Sequence, residues 1–107
     1  MRIIAGKYKK RKLDVLSEAI SPTKDSLRET MFNIISQKVE GSRVLDLYAG
    51  SGAFALEAIS RGAQSADLVD LRLKTIYKNI GYLEEDDRKR VSIFGYDALK
   101  YIKKAAR

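Results

Sequence analysis

A chain of 107 residues has room for one small domain, and this one contains no cysteine and no histidine. Those absences exclude disulfides, thiolate nucleophiles and zinc–thiolate sites, and remove both the usual general base and the commonest metal ligand. We predict no metal site. A formal net charge of +7 favours a polyanionic partner, although basic solubility alone would explain it equally. The sequence shows neither a membrane-spanning run nor a signal peptide, so we expect a cytoplasmic protein.

The first fourteen residues suggest a basic hairpin or extended arm. A short β-like run, Arg2–Ala5, leads through Gly6 into a basic tract with one aromatic residue, which comprises Lys7, Tyr8, Lys9, Lys10, Arg11 and Lys12. Cations around an aromatic ring suit phosphate contacts combined with base stacking. The alternative is an edge strand that lysines keep soluble. We assign residues 1–20 to this arm and residues 21–107 to an α/β domain.

A helix is predicted after the arm. Pro22 suits a first helical position, with Ser21 or Thr23 as the cap. Apolar residues then recur at helical spacing, at Leu27, Met31, Ile34 and Ile35. We therefore expect a helix that runs to about Gln37 and buries this apolar face.

The most informative stretch runs from Val44 to Ala55. An apolar strand breaks at the turn Ala49-Gly50-Ser51-Gly52 and passes into a short helix that ends at Arg61-Gly62. Strand, glycine turn and helix form the opening unit of nucleotide-binding α/β domains. The glycines permit unusual torsions and a close ligand approach, and the unpaired N–H groups of the helix point at that ligand.

The remaining elements alternate between strands and helices. Strands are predicted over residues 65–70 and 91–94, helices around residues 73–80 and from residue 98, and a charged loop over residues 84–90. This order predicts an α/β fold that is partial and Rossmann-like, with three parallel strands and flanking helices. Asp46, Asp70 and Asp97 then lie near the carboxyl ends of successive strands, the edge at which open α/β sheets bind ligands.

Two ligands and one structural role fit the glycine turn. Gly50, Gly52 and Ala55 satisfy the dinucleotide pattern G-x-G-x-x-A, and Asp70 follows at a suitable distance for a ribose contact, so NAD is possible. Asp46 argues against NAD, because a buried acid beside the turn repels a pyrophosphate. It favours S-adenosylmethionine, which carries a sulfonium and an ammonium and no phosphate. The third possibility is that Asp46 only braces the turn.

Several segments together resemble one family. These are Arg2-Ile3-Ile4-Ala5-Gly6, Arg11-Lys12-Leu13, Pro22-Thr23, Arg28-Glu29, Phe32-Asn33-Ile34, Asp46–Gly52 and Glu57–Ala63. Their order and spacing are similar to those of the bacterial RsmD-like 16S ribosomal RNA guanine-N2 methyltransferases. The glycine motif is shared by all class I methyltransferases, whereas the arm and the Arg-Glu-x-x-Phe-Asn helix are specific to this family.

The resemblance implies roles for individual residues. The cofactor S-adenosylmethionine would be held at Asp46, Tyr48, Ala49, Gly50, Ser51, Gly52, Asp70, Asp97 and Ala98. Within that set, Asp70 would bond the ribose and Asp97 the adenine amine. Ribosomal RNA of the small subunit would be bound by Lys7, Tyr8, Lys9, Lys10, Arg11, Lys12 and Arg28.

The chain also departs from the family pattern. The family mostly has glutamate in place of Asp70 and arginine in place of Ser21. The family's catalytic motif is Asp or Asn, followed by Pro-Pro and then by Tyr or Phe. The motif needs two consecutive prolines, whereas Pro22 is the only proline in this chain. We therefore predict no catalytic residue here and expect the N-terminal portion of a methyltransferase. A fourth strand would pair beside the first, so self-association through that exposed edge is a further expectation.

Overall fold

The computed structural model describes residues 1–15 and 22–105 and confirms the predicted α/β class. Its elements are α1 (Pro22–Val39), β1 (Arg43–Leu47), α2 (Ala53–Ser60), β2 (Ser65–Val69), α3 (Lys74–Ile80), α4 (Glu85–Arg88), β3 (Val91–Phe94) and α5 (Ala98–Ala105). The three strands are parallel in the order β1-β2-β3, with Leu47 opposite Val69 and Val69 opposite Phe94. This register brings the three carboxyl ends to one edge of the sheet.

The core lies between one face of the sheet and the helices that follow β1 and β2. Leu56 and Ala55 of α2, Leu68 of β2 and Ile76 of α3 are fully buried there. Alternation along the strands turns the next residues to the other face, where Leu45 of β1 is 52% exposed. Over the described part of the chain, the second face of the sheet is therefore exposed at Leu45 and covered at Val69, the last residue of β2.

The N-terminal arm is a hairpin that shares this core. Arg2 and Lys12 form an antiparallel bridge, and the Ile3 N–H donates to the Arg11 carbonyl over 2.9 Å. Ile3 and Leu13 are both buried in the same cluster as Leu56. The predicted hairpin is therefore confirmed for residues 1–14, while residues 16–20 of the predicted arm lie outside the described residues.

Close backbone contact docks the arm on the end of α2. The Lys7 N–H donates to the Ser60 carbonyl over 2.8 Å, and the Tyr8 N–H donates to the Ser60 hydroxyl over 2.9 Å. Gly6 has φ +87°, and a Cβ atom there would lie 2.0 Å from the Ser60 carbonyl oxygen. Only glycine permits this approach.

Two local predictions are wrong. The apolar face predicted to be buried on α1 is exposed, with Ile34 79% accessible, because the helix turns Arg28, Phe32 and Val39 inward instead. The predicted charged loop contains the short helix α4. The prediction for Ser21 as a cap lies outside the described residues. Among the helices of the described residues, none combines the length and apolarity that crossing a membrane requires.

Candidate functional site

The glycine turn after β1 depends on left-handed backbone torsions. Gly50 has φ +60° and Gly52 has φ +83°, and Gly52 is the N-cap of α2. A Cβ atom on Gly52 would lie 3.2 Å from Leu68 Cδ2, so both torsion and space select glycine there. Tyr48 has φ +59°, a strained conformation for an aromatic residue, and is 73% exposed. Such strain is commonly found at functional sites.

Asp70, at the end of β2, braces this turn. Its Oδ2 accepts the Gly50 N–H over 2.8 Å, and its Oδ1 accepts the Arg72 N–H over 3.0 Å. Burial acts to raise the pKa of Asp70, but the N–H groups of Arg72, Gly50 and Leu71 outweigh it, so the pKa is lowered. The sequence left open that Asp46 braces the turn. In the structure, Asp70 is the acid that accepts the Gly50 N–H.

Asp46 is different, because one of its oxygen atoms has no partner. Its Oδ2 is buried and has no hydrogen-bond partner among the described residues. Burial raises the pKa of Asp46 to about 6, the nearby Asp70 charge adds to the rise, and the Ala55 N–H only partly offsets it. A buried carboxylate in this state is stabilised by a cation or by a ligand N–H group.

The carboxyl ends of the strands form one cleft, as the sequence predicted. It is lined by Tyr48, Val69, Asp70, Leu71, Tyr96, Asp97 and Ala98. Asp97 Oδ1 accepts the Leu99 N–H over 2.7 Å, which makes Asp97 the cap of α5. Four predicted cofactor residues therefore lie in this cleft, and Asp46 and Gly50 adjoin it through Asp70.

Two of the predicted cofactor residues turn away from the cleft. Ala49 and Ser51 are buried, and the Ala49 N–H donates to the Val69 carbonyl over 3.0 Å. The Ser51 hydroxyl lies 3.7 Å from Met1 Sδ. These two residues therefore shape the turn from behind.

Sequence reasoning missed Leu71 and Tyr96, which also line the cleft. Both are exposed apolar residues, and each neighbours an acid at the end of a strand, Asp70 or Asp97. That position was the available signal. An apolar side chain beside each acid gives the cleft surfaces against which a flat ring can pack.

The site suits a cationic nucleoside better than a pyrophosphate. An anion at the turn would compete with the Asp70 carboxylate for the Gly50 N–H and would lie near Asp46. An ammonium or sulfonium would instead meet the Asp46 oxygen that no other described group contacts by a hydrogen bond. Asp70 has a lone pair left for a hydroxyl group, because its two oxygens offer about four acceptor sites and receive the N–H groups of Gly50, Arg72 and Leu71. The residues present therefore fit S-adenosylmethionine.

The cations of the basic arm differ in whether they contact other side chains of the molecule. Lys7 Nζ lies 2.7 Å from Glu84 Oε2 and 2.8 Å from Asp87 Oδ2, and the Tyr8 hydroxyl donates to Asp87. The Arg11 guanidinium lies 4.1 Å above the ring of Tyr82. Lys7 and Arg11 are exposed as well, whereas Lys9, Lys10 and Lys12 are exposed and form no ion pair among the described residues. These three are best placed to reach a polyanion.

The structure contradicts the predicted RNA contact of Arg28. This side chain is 6% exposed, its Nε lies 3.5 Å from Glu57 Oε1, and its Nη2 donates to the Arg2 carbonyl. A guanidinium held inside the molecule cannot meet a phosphate without breaking this packing. We correct its role to that of a buried link between the arm, α1 and α2.

Fold and site together define the class. A parallel sheet with helical crossovers, a glycine turn after β1 and acids at the strand ends form the Rossmann-like fold of class I methyltransferases. The chain belongs to the family described as conserved hypothetical protein 95, which matches residues 1–107. The resemblance to RsmD-like methyltransferases is confirmed.

Named relatives agree with this family. Ribosomal RNA small subunit methyltransferase D of Escherichia coli K12 is 38% identical over 96 residues, which cover 86% of this chain and 48% of that protein. YlbH of Bacillus subtilis, provisionally named an rRNA methyltransferase, is 37% identical over 111 residues, which cover 100% of this chain and 59% of that protein. The chain thus spans about half the length of these curated relatives.

Solved structures give the same fold. The Escherichia coli protein yhhF, provisionally described as a methyltransferase, aligns with a TM-score of 0.83 and 33% identity, covering 95% of this chain and 56% of that one. SMU.776, a protein crystallised with S-adenosylhomocysteine (SAH), aligns with a TM-score of 0.67 and 25% identity, covering 88% of this chain and 24% of that one. These neighbours support S-adenosylmethionine as the cofactor.

Proposed function

We propose that this chain forms the cofactor-binding and RNA-facing part of a cytoplasmic methyltransferase that acts on a guanine N2 of 16S ribosomal RNA. The observation that carries the proposal is the buried Asp46 oxygen, which has no partner among residues 1–15 and 22–105, beside a turn whose Gly50 N–H is already given to Asp70. That arrangement selects a cationic nucleoside over a dinucleotide. The names of the relatives supply the RNA substrate class.

Each part of the site has a binding role in this proposal. Asp46 would face the positively charged methionine end, Asp70 the ribose hydroxyls and Asp97 the adenine amine. Leu71 and Tyr96 would pack against the adenine ring and exclude water from it. When bound, S-adenosylmethionine supplies a methyl group activated by its sulfonium. This chain's residues bind and orient that cofactor, and positioning of this kind provides much of the acceleration in group transfer.

The proposal assigns no catalytic residue to this chain. Groups that accept the guanine amino hydrogens belong to a proline-rich motif in the resembled family, and Pro22 is the only proline here. We therefore expect the 107-residue chain to bind SAH and RNA without transferring a methyl group. Turnover on ribosomal RNA by this chain alone would contradict that expectation.

Calorimetric titration with SAH and with NAD tests the cofactor assignment. We expect SAH to bind and NAD to bind at least tenfold more weakly. Asp70→Asn should weaken SAH binding about tenfold, because one oxygen acceptor for the ribose is lost. Asp86→Asn, at an exposed acid of α4, is the matched control and should leave the affinity unchanged. Tighter binding of NAD than of SAH would refute the assignment.

A second candidate function is a non-catalytic assembly module. The observation in its favour is that β1 is an outer strand of the sheet over the described residues and that its Leu45 is exposed. An unpaired edge strand is a template for pairing with another chain. Light scattering distinguishes the candidates, because an assembly module predicts oligomers that Leu45→Lys disrupts and that SAH does not affect.

A further inference from the structure

One buried amide joins the basic arm to the glycine turn. Asn79 of α3 is 0% exposed, and its Nδ2 donates both to the Ser51 carbonyl, over 2.8 Å, and to the Asp14 carbonyl, over 2.9 Å. Its Oδ1 accepts the Asp14 N–H over 2.7 Å. Both amide hydrogens and the amide oxygen are therefore used, and a planar group fixes the turn relative to the end of the arm.

The side chain of Asp14, at one end of this link, is also held by two neighbouring side chains. Its Oδ2 accepts the Tyr82 hydroxyl over 3.1 Å and lies 3.2 Å from Lys78 Nζ. The ring of Tyr82 is the one that Arg11 covers, at 4.1 Å. A phosphate that draws Arg11 away would therefore act on Tyr82, then on Asp14, and through Asn79 on the turn.

We propose that Asn79 is a positioning residue that couples RNA binding at the arm to cofactor binding at the glycine turn. The coupling rests on the proposed function, because it needs both ligands. It follows from the contacts: the amide bonds the carbonyl of Ser51, between the two glycines of the turn, and the backbone of Asp14, two residues after the basic tract. By linkage, RNA then alters SAH affinity by the same factor as SAH alters RNA affinity.

Paired titrations measure this factor. The dissociation constant of SAH is determined for the 107-residue chain with and without a saturating 16S ribosomal RNA transcript. We expect RNA to change SAH affinity by a factor of at least about five in the wild-type chain. Asn79→Asp keeps the acceptor for the Asp14 N–H and loses both donors, so the factor should fall to about one.

Two further variants make the result decisive. Tyr82→Phe removes the hydroxyl that holds Asp14 without touching the turn, so it should reduce the coupling factor and leave SAH affinity in the absence of RNA unchanged. Gln37→Glu makes a comparable amide-to-acid change at an exposed position of α1 and should keep the wild-type factor. If Asn79→Asp does not fold, the Tyr82→Phe result decides.

Each outcome has one meaning. A wild-type chain that binds both ligands with a factor of one overturns the coupling and leaves the proposed function intact. A wild-type factor in folded Asn79→Asp, or in Tyr82→Phe where that variant decides, also overturns it. A wild-type chain that fails to bind SAH or RNA refutes the proposed function, and the coupling with it.

Discussion

Two acids of this molecule occupy opposite situations. Glu57 of α2 is 0% exposed, and its oxygens accept the N–H groups of Ile4, over 2.8 Å, and Ala5, over 3.1 Å. Arg61 Nε lies 2.9 Å from its Oε2, and Arg28 Nε lies 3.5 Å from its Oε1. Asp46 of β1 has a buried oxygen with no partner among the described residues.

The difference separates scaffold from site. Burying a charge is costly unless hydrogen bonds and an opposite charge offset the loss of water. At Glu57 the protein itself provides that compensation, so the acid ties the arm, α1 and α2 together. At Asp46 the compensation is incomplete, which is what a site awaiting a cationic ligand requires.

The largest effect is expected at Glu57. Glu57→Gln leaves the buried Arg28 and the partly buried Arg61 without their carboxylate, so the free energy of unfolding should fall by about 3–5 kcal/mol. Urea denaturation measures the change. Glu85→Gln, at an exposed acid of α4, is the control and should stay within about 0.5 kcal/mol of the wild-type chain. Equal stability of both variants would contradict the scaffold role.

The next effect is a pH dependence from Asp46. Because its folded pKa of about 6 lies above its ordinary value, its contribution to stability is complete below pH 4 and is lost as pH rises through 6. The loss is on the order of 3 kcal/mol. Asp70 and Asp87, whose pKa values are lowered, contribute in the opposite sense.

Comparison with Asp46→Asn isolates this contribution. Unfolding free energies of the two chains, measured from pH 4 to pH 8, should differ progressively in favour of the variant as pH rises. S-adenosylmethionine should bind the wild-type chain more tightly above pH 6, where Asp46 is ionised, and the variant should lose this dependence. Parallel pH curves for the two chains would show that Asp46 does not titrate as described.

A smaller effect separates the cost of backbone torsion from the cost of steric contact, at two glycines with positive φ angles. Gly41 has φ +76° with nothing within 4 Å of an added Cβ atom, so Gly41→Ala should cost only the torsional strain, about 1 kcal/mol. Gly52→Ala adds the contact with Leu68 and should cost about 2–3 kcal/mol. Thermal unfolding of both variants tests this, and SAH affinity should fall only in Gly52→Ala.

The smallest effect distinguishes a lysine that forms ion pairs from one that forms none among the described residues. Lys9→Gln should reduce the slope of log RNA affinity against log salt by about 0.7–0.9, the contribution of one phosphate contact. Lys7→Gln should leave that slope unchanged, because Lys7 is bound to Glu84 and Asp87. Filter binding over a range of salt concentrations gives both slopes. A larger change for Lys7→Gln would mean that RNA displaces those acids.

Local patterns in the sequence predicted most of the fold. The strands, α2, α3 and α5 have clear apolar spacing and glycine boundaries, and the structure places them within a residue or two of the prediction. Helix α4 lacks such a pattern and is stabilised by contacts with the arm. Its Asp87 accepts a hydrogen bond from the Tyr8 hydroxyl and forms an ion pair with Lys7. The inward face of α1 was misjudged because Arg28 is buried by its pairing with Glu57, a contact no periodicity encodes.

The site was predictable in position and less so in detail. Parallel strands bring their ends to one edge, so the grouping of Asp70 and Asp97 with the turn followed from element order alone. The sequence did not show which acid accepts the Gly50 N–H, because this depends on side-chain geometry across β1 and β2. In the structure the acceptor is Asp70. The link through Asn79 joins residues 65 positions apart, beyond the reach of any local pattern.

The arm's contact at Gly6 has an evolutionary consequence. A methyl group at this position would collide with the Ser60 carbonyl oxygen, whichever side chain carried it. In a saturation mutagenesis library scored only for folding, codon 6 should therefore tolerate no replacement, while codon 41 accepts several. Homologues with another residue at this position must pack their N-terminal hairpin against α2 differently. The residue at position 6 therefore indicates whether a homologue shares this hairpin arrangement.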